Sequence, residues 1–315
     1  MRADLVSVLR CPVCGDGLEL RDRTARCGLG HAYDLAKQGY LNLLPSASTG
    51  IDGDSAEMVD ARAEFLSRGW YAPIREALVD SLPKVERASA DAFLGRGSDL
   101  QDPAEGGDAQ RPVVDGDTLR PPVDGGGPRP LAVEVGAGTA YYLAGVIDAG
   151  WRGIAVDVSR YAARRAAKVD PGIGSVVADA WRGLPLRDGV ADVVLDVFAP
   201  RNAGEMARVL APGGTLLVVT PNQRHLTELI DVLGMVSVDG EKERRLVESL
   251  AGFERVEQRV VETAMRLDHE AIEQLVGMTP SARHVDRRAR AERIGVLADP
   301  TEVTLSVTVS SWRTA

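Results

Sequence analysis

The stretch Val133-Glu134-Val135-Gly136-Ala137-Gly138-Thr139-Ala140 decides the fold of this chain. In it, an apolar run meets two closely spaced glycines and continues into a helix-compatible segment. Such glycines let the backbone turn tightly and approach a ligand at the carboxyl end of a strand. Tyr141 stands where a dinucleotide-binding loop would have its third glycine. The loop therefore predicts a ligand that lacks a pyrophosphate.

Short β-rich runs alternate with helical segments around and after this loop. The predicted strands are 131–135, 154–158, 175–178, 191–198 and 215–220. The predicted helices are 140–149, 160–167 and 201–210. This alternation predicts an α/β fold with a doubly wound, Rossmann-like parallel sheet. The tail 301–312 alternates apolar and polar residues, which predicts a long final strand at an antiparallel edge of the sheet.

Acidic residues accompany three successive strands at the edge where a ligand would bind. Glu134 precedes the glycine loop, and Asp157 ends the next strand, where a carboxylate can accept both hydroxyls of a ribose. Asp179 can take an adenine amino group, and Ala180 can pack on the adenine ring. Each residue alone is more often an ordinary strand-end residue, but together they predict S-adenosylmethionine, with a class I methyltransferase sheet. The predicted cofactor-binding residues are Glu134, Gly136, Gly138, Tyr141, Asp157, Asp179 and Ala180.

All three cysteines of the chain lie near the N-terminus, beside one of its four histidines. Cys11 and Cys14 form a Cys-x2-Cys pair, and Cys27 and His31 form a Cys-x3-His pair. Each pair fits a tight turn that directs two ligands to one ion. Three thiolates and one imidazole complete a tetrahedron with no open position, which predicts a structural Zn²⁺ site. The alternative is that the cysteines are merely buried or free thiols.

The substrate side is predicted at the ends of the fourth and fifth strands. Asp196 and Phe198 lie where the methyl group of the cofactor should project. Phe198 can stack on a base, Arg201 can hold a phosphate or carbonyl oxygen, and His225 lies at the same rim. The alternatives are core packing for Phe198, a solvated helix start for Arg201 and an ordinary surface histidine. Asp196 is the candidate proton acceptor by location, with the backbone carbonyls of Phe198 and Ala199 as equal rivals.

Composition divides the chain and bounds its surroundings. We expect a zinc-binding domain at 1–45, a two-helix lead-in at 46–87, a disordered Gly/Pro/Asp-rich insertion at 88–130 and a methyltransferase domain at 131–315. An acidic tether is the alternative for the insertion. No stretch approaches the roughly 20 apolar residues that span a bilayer, and an odd cysteine count fits metal binding in a reducing compartment, so a cytoplasmic protein without a membrane partner is expected.

The charge balance bears on nucleic-acid binding. The formal net charge is −9, whereas proteins that grip nucleic acid usually carry a basic surface. The insertion contributes much of this negative charge. An arginine-rich run at 287–293 can line an RNA groove, and its alternative is a solvated helix face paired with Asp286 and Glu292.

Several motifs resemble those of the bacterial large-subunit ribosomal RNA (guanine-N1)-methyltransferases, which include enzymes that confer resistance to tylosin-type macrolides. The most specific is the run Lys37-Gln38-Gly39-Tyr40-Leu41-Asn42-Leu43-Leu44. The other matching motifs include the cysteine pairs, Gly53-Asp54-Ser55, Ala61-Arg62, Phe198-Ala199-Pro200, Thr220-Pro221, Arg224-His225-Leu226 and Met278-Thr279-Pro280. The insertion and the acidic balance depart from the family pattern.

The resemblance implies S-adenosylmethionine-dependent methylation of N1 of a guanine in an RNA hairpin loop. It also implies a zinc domain fused to the methyltransferase domain, ribosomal RNA as the partner, and a possible homodimer whose zinc domains flank an RNA cleft. Two other functions remain open from the residues alone. The chain could methylate a small molecule, or it could be a non-catalytic zinc-dependent RNA-binding protein.

Overall fold

The computed structural model describes residues 1–44, 53–83, 129–235, 242–279 and 287–315. The predicted insertion lies outside these ranges except for Arg129 and Pro130, and residues 280–286 before the arginine-rich run, with Asp286, lie outside them as well. Within the described ranges, no helix combines the length and hydropathy required to cross a membrane.

The N-terminal part is a small ribbon. Helix α1 (Ala3–Val6) is followed by a three-stranded antiparallel sheet of β1 (Glu19–Arg21), β2 (Thr24–Arg26) and β3 (Ala32–Asp34). Strand β4 (Leu41–Asn42) comes next along the chain but joins the large sheet of the second part. Two helices follow, α2 (Ala56–Ser67) and α3 (Ala72–Asp80), where two were predicted. Ser55 begins α2 by accepting a hydrogen bond from the Met58 amide, as an N-cap serine does.

The second part is an eight-stranded mixed sheet with helices on both faces. Its strands are β4, β5 (Leu131–Val135), β6 (Arg152–Asp157), β7 (Ile173–Val177), β8 (Ala191–Val197), β9 (Leu210–Pro221), β10 (Phe253–Leu267) and β11 (Thr301–Thr314). Its helices are α4 (Tyr141–Asp148), α5 (Arg160–Ala166), α6 (Ala203–Val209), α7 (Thr227–Leu233), α8 (Lys242–Ser249), α9 (His269–Gly277) and α10 (Arg287–Ile294). The spatial order is β10-β11-β9-β8-β5-β6-β7-β4. Strands β4 to β9 pair in parallel, which confirms the predicted doubly wound sheet.

The prediction that the C-terminal strand lies at the edge of the sheet is wrong. Strand β11 is antiparallel, as expected, but it lies between β9 and β10, and β10 takes the edge. The burial patterns show the reason. Most β11 side chains from Val303 to Ser310 are buried, whereas nearly all β10 side chains are exposed or half-buried. Strand β11 is interior because most of its side chains are covered. Strand β10 was missed in the sequence because its side chains show little apolar alternation.

The ribbon packs directly against the large sheet. Leu41 and Asn42 of β4 pair in parallel with Val176 and Val177 of β7, so the ribbon supplies the outermost strand at this edge. Leu9 forms a bridge with Leu186, and the Arg10 amide donates to the Pro185 carbonyl at 3.1 Å. One apolar core on this face of the sheet contains residues of α1, the ribbon, α6 and α8. The ribbon is therefore anchored by backbone pairing and by a shared core.

The opposite face of the sheet is covered by α2, α3, α4, α7, α9 and α10. Phe65, Ile74 and Leu78 from the two lead-in helices are fully buried there. Burying an aromatic or aliphatic side chain of this size stabilises a fold by about 1.5–3 kcal/mol. The lead-in helices consequently form part of the methyltransferase core and hold α2 beside the carboxyl ends of the central strands.

Candidate zinc centre and cofactor site

The four predicted metal ligands converge at one end of the ribbon. One ligand atom from each of Cys11, Cys14, Cys27 and His31 lies within 4.8 Å of the other three. The Sγ atoms of Cys14 and Cys27 are 3.7 Å apart, and the Cys27 Sγ is 3.4 Å from His31 Nδ1. No other cluster of potential metal ligands is found among the described residues.

These distances fit a zinc tetrahedron. With Zn–S bonds of about 2.3 Å and Zn–N bonds of about 2.0–2.1 Å, the ligand atoms should lie about 3.6–3.8 Å apart. The Tyr33 hydroxyl is 3.2 Å from the Cys11 Sγ, and a hydrogen bond to a thiolate is a common outer-shell contact of a ligand. Four protein ligands leave no position for substrate, so the zinc is structural.

The glycine loop after β5 is packed so closely that side chains are excluded. Gly136 has φ +65°, and a Cβ atom there would lie 2.7 Å from the Ala199 Cβ in the loop after β8. Gly138 has φ +52°, and a Cβ atom there would lie 3.1 Å from Cδ of Arg62 on α2. Positive φ and close neighbours both require glycine. The loop thus joins three elements at the carboxyl edge of the sheet.

Two predicted cofactor residues are carboxyl groups beside this loop, the half-buried Asp157 and the buried Glu134. Asp157 accepts hydrogen bonds from the Gly138 and Ser159 amides, both at 2.8 Å. Burial raises its pKa, although these two hydrogen bonds act in the opposite direction. Burial also raises the pKa of Glu134 to about 8, opposed by a hydrogen bond from the Leu143 amide and reinforced by the Asp157 charge. The pKa values of both carboxyl groups are therefore raised, and such groups suit a ligand that brings hydroxyl or cationic groups.

Asp179 and Ala180 lie in the loop after β7, near the ribbon. Asp179 is buried, and it accepts a hydrogen bond from the Trp181 amide at 3.0 Å. The Asn202 side chain donates to the Ala180 carbonyl at 3.0 Å, which ties this loop to the start of α6. A cavity of about 290 Å³ separates Asp179 from the first cysteine turn, where Cys11 lines it. Tyr141, at the start of α4, lies instead with its ring 4.9 Å from the Arg75 guanidinium.

The buried Asp196 and the half-buried Arg201 form an ion pair at the end of β8. The Arg201 Nε lies 3.6 Å from Asp196 Oδ1, which is an ion pair without a hydrogen bond. Among the described residues, neither Asp196 oxygen nor the Arg201 Nε has a hydrogen-bond partner. Burial raises the pKa of Asp196 to about 7, against the Arg201 charge and the Ala199 backbone. Buried polar atoms without partners are rare in proteins and mark a site that a ligand can complete.

Phe198 and His225 are brought together with a residue that the sequence did not indicate, Tyr71 at the start of α3. The rings of Phe198 and His225 stack with centroids 6.1 Å apart, and Tyr71 lies 6.2–6.3 Å from both. His225 Nδ1 accepts from the Ser306 amide, so its proton is on Nε2, 3.4 Å from the Tyr71 hydroxyl. Phe198 has φ +54° and is 40% exposed. A strained, exposed aromatic residue at a rim is available to contact a planar ligand.

The arginine-rich run is partly used within the fold. It forms helix α10, in which the Arg288 Nε lies 3.2 Å from Glu292. Arg290 is buried and makes a bidentate contact with Glu273 of α9. Arg288 follows the solvated, ion-paired alternative given above, whereas Arg290 departs from it because it is buried and paired with a residue of α9.

Sequence reasoning did not single out Arg62 or Tyr71 as site residues. Both belong to the lead-in helices and reach the cofactor edge only through packing. The Arg62 Nη2 donates to Asp54 Oδ2 at 2.7 Å and to the Met278 carbonyl at 2.9 Å. The backbone carbonyl of Asp54 in turn accepts a hydrogen bond from the Ser159 hydroxyl at 2.7 Å. Residues 53–55 and α2 therefore cover the loop that follows β6. The sequence indicated these positions only through the family motifs Gly53-Asp54-Ser55 and Ala61-Arg62.

The zinc ribbon, the doubly wound sheet and the glycine loop with its carboxyl groups define an S-adenosylmethionine-dependent methyltransferase with a structural zinc. Known families match in the same two places. The zinc-ribbon family described as "RlmA, N-terminal" matches residues 9–48, and the family described as "Methyltransferase domain" matches residues 133–218.

Individual relatives match over nearly the whole chain. The chain is 43% identical to the 23S rRNA (guanine(748)-N(1))-methyltransferase of Streptomyces fradiae, over 99% of each chain. It is 40% identical to a Micromonospora griseorubida protein provisionally named a 23S rRNA (guanine-N(1)-)-methyltransferase, again over 99% of each. Identity to the Bacillus subtilis protein YxjB, provisionally given the same activity, is 26% over 96% of this chain and 95% of that one. This chain belongs to the 23S rRNA (guanine-N1)-methyltransferase family.

Proposed function

We propose that the chain transfers a methyl group from S-adenosylmethionine to N1 of a guanine in a hairpin loop of 23S ribosomal RNA. The observation that carries this proposal is the 43% identity to the Streptomyces fradiae enzyme over 99% of both chains, zinc ribbon and methyltransferase sheet included. The name of that relative points to position 748 as the target. The net charge of −9 is compatible with an RNA target when the contacts to the RNA are concentrated at the rim formed by Phe198, Arg201 and His225.

The cofactor would be held by the edge of β5, β6 and β7. Asp157 would accept the ribose hydroxyls, and Asp179 and Ala180 would contact the adenine. Glu134 accepts a hydrogen bond from the Leu143 amide and so holds the helix that follows the glycine loop. S-adenosylmethionine supplies an electrophilic methyl group on a sulfonium. A carboxyl group at Asp196, buried near the end of β8, stabilises positive charge in this part of the site when it is ionised.

The guanine would be held by the rim on the substrate side. Guanine N1 lies on the Watson–Crick edge, so the base must be unpaired or turned out of its helix before it can be methylated. Phe198 offers an exposed ring for stacking, with His225 stacked behind it and Tyr71 beside both. Arg201 can hold the guanine carbonyl oxygen next to N1. Most of the rate enhancement then comes from alignment of N1 with the methyl group.

The proton on N1 must leave as the new N–C bond forms. Asp196 has a pKa raised to about 7 by burial, which suits a group that accepts a proton near neutral pH. Among the described residues, the Ala199 backbone amide is the one group that approaches its oxygens as a donor, which leaves capacity to accept a further hydrogen bond. The Phe198 and Ala199 carbonyls are the alternative acceptors. The pairing of Arg201 with Asp196 links the residue that holds the base to the residue that takes its proton.

The remaining features of the proposal concern assembly and location. We propose that two copies form a dimer whose zinc ribbons flank the RNA, and that the protein acts in the cytoplasm, where ribosomal RNA is modified. Support for the dimer comes only from the family resemblance. Light scattering of the purified protein would reveal a mass near twice that of the 33.6 kDa chain if the proposal holds.

A substrate competition tests the proposal. Labelled S-adenosylmethionine is supplied with an unmodified 23S rRNA hairpin transcript, the same transcript with its loop guanines replaced by adenine, or free guanosine and GTP. We expect label in the first transcript alone. Label in the small molecules would indicate a small-molecule methyltransferase, and RNA binding without any transfer would indicate a non-catalytic RNA-binding protein. A Val256→Ala variant, changed at an exposed position on β10, serves as the matched control.

A further inference from the structure

Arg62 of α2 lies against the cofactor loop and has hydrogen-bonding capacity that the fold does not use. Its Cδ is 3.1 Å from the position that a Cβ atom on Gly138 would occupy. Both of its hydrogen bonds leave from Nη2, one to Asp54 and one to the Met278 carbonyl. Its Nε is buried and has no partner among the described residues. A buried guanidinium nitrogen without an acceptor is costly, so this position is suited to an anion that arrives with a ligand.

The surroundings of Arg62 are otherwise acidic. Asp54, Glu134 and Asp157 all lie close enough to interact electrostatically with one another or with the guanidinium. S-adenosylmethionine has a single carboxylate, at the end of its amino-acid arm, and an ammonium beside it. Asp54, which pairs with Arg62, and any ionised form of its acidic neighbours favour the ammonium and repel the carboxylate. The arm can be accepted only if a cation compensates for this repulsion, and the Arg62 guanidinium borders the glycine loop where the arm would lie.

We propose that Arg62 binds the carboxylate of the amino-acid arm of S-adenosylmethionine through its Nε edge while Nη2 stays fixed to Asp54 and Met278. The inference rests on the proposed function, because it concerns the same cofactor. The proposal places a residue of α2 in direct contact with the cofactor. The two fixed contacts orient the guanidinium before the cofactor arrives, which reduces the entropy lost on binding.

The test compares two ligands that differ only in the group concerned. Binding of S-adenosylmethionine and of its decarboxylated form is measured by calorimetry, without RNA, for the full chain and for Arg62→Met. A hydrogen bond to a charged group contributes about 1.5–3 kcal/mol, so Arg62→Met should weaken S-adenosylmethionine binding by roughly tenfold to a hundredfold. Decarboxylated S-adenosylmethionine should bind the variant as well as the wild type or better, because it retains the ammonium and no longer competes with the arginine charge.

Three controls make the outcomes distinct. Arg68→Met removes an arginine that directly follows the same helix and contacts Asp268 instead, and it should leave the affinity for both ligands unchanged. Arg62→Lys retains a cation and should recover part of the lost affinity. If Arg62→Met does not fold, Arg62→Gln is measured in the same way. Equal weakening of both ligands, or no weakening of either, would overturn the inference.

Failure of this inference is distinguishable from failure of the proposed function. A wild-type protein that binds S-adenosylmethionine but does not methylate RNA contradicts the proposed RNA substrate and leaves the role of Arg62 intact. A wild-type protein that methylates RNA, with an Arg62→Met variant that binds both ligands normally, contradicts only the role of Arg62.

Discussion

Replacement of the buried Asp196 by asparagine should stabilise the free protein at alkaline pH. Asp196 is 0% exposed, and among the described residues no group makes a hydrogen bond of good geometry to either of its oxygens, although the Ala199 backbone amide approaches them. Its one ion pair, to Arg201 at 3.6 Å, leaves the pKa raised to about 7 by burial. Asparagine has nearly the same shape and is neutral at every pH. The variant therefore isolates the energetic cost of the charge.

The sign and size of the effect follow from the pKa values of the two states. The carboxyl ordinarily titrates near 3.8 and titrates at about 7 when folded, so between these values the folded state holds a proton that the unfolded state has released. Stability from this group is complete below pH 4 and is lost as the pH rises through 7. From pH 5 to pH 8 the wild type should lose about 3 kcal/mol of unfolding free energy relative to Asp196→Asn.

Urea unfolding of both proteins at pH 5 and pH 8 measures this difference. Other buried acids, such as Glu134, titrate in both proteins and cancel in the comparison. Asp188→Asn is the control, because the Asp188 side chain is 75% exposed and the loss of its surface ion pair with Arg208 should change stability by no more than about 1 kcal/mol, equally at both pH values. If the difference between wild type and Asp196→Asn were the same at both pH values, Asp196 would not be an isolated buried carboxyl group and its assigned role would fail.

Three further outcomes are expected. Removal of zinc with a chelator should lower the free energy of unfolding by at least about 3 kcal/mol, and added zinc should restore it, as followed by circular dichroism; unchanged stability would mean that the ribbon folds without metal. Gly136→Ala should destabilise the protein by about 1–3 kcal/mol and weaken cofactor binding at least tenfold, because its Cβ would meet Ala199; normal binding would refute the packing argument. Phe198→Ala should raise the KM for RNA about tenfold or more with cofactor affinity unchanged, and a loss confined to cofactor binding would contradict a stacking role.

The features with a local signature were predictable from the sequence. The zinc ligands lie in two short turns, so their spacing alone indicated that Cys11, Cys14, Cys27 and His31 share an ion, and the structure brings them within 4.8 Å of one another. The strands β5 to β9 are short and apolar, and periodicity identifies such strands. The glycine loop was also local, because its function depends on consecutive backbone torsions.

The features that depend on tertiary packing were not predictable. Strand β10 presents mostly exposed side chains, including Val256 and Val260, so the alternation that reveals a half-buried strand is weak. The position of β11 between its neighbours depends on pairing over long sequence separations, about which the residues of β11 themselves carry no information. Arg62 and Tyr71 reach the cofactor edge because their helices pack over it, and their local sequence only predicts helix.

The docking of the ribbon illustrates the same limit. Periodicity places Leu41 in a short apolar run but cannot show that it pairs with Val176 of the large sheet. The zinc domain and the methyltransferase domain are separated by residues 46–130 in the sequence, yet they share a sheet edge and a core in the structure. The zinc ion therefore supports a surface that borders Asp179 and the cavity beside it.

The most direct test of the central claim is the chemical identity of the product. Unmodified 23S rRNA is incubated with the protein and S-adenosylmethionine, digested to nucleosides and to oligonucleotides, and analysed by mass spectrometry. We predict a single new modification, 1-methylguanosine, in one hairpin-loop fragment, and its absence when the cofactor is omitted. A methyl group on any other base or position of the RNA, or none on the RNA at all, would contradict the claim.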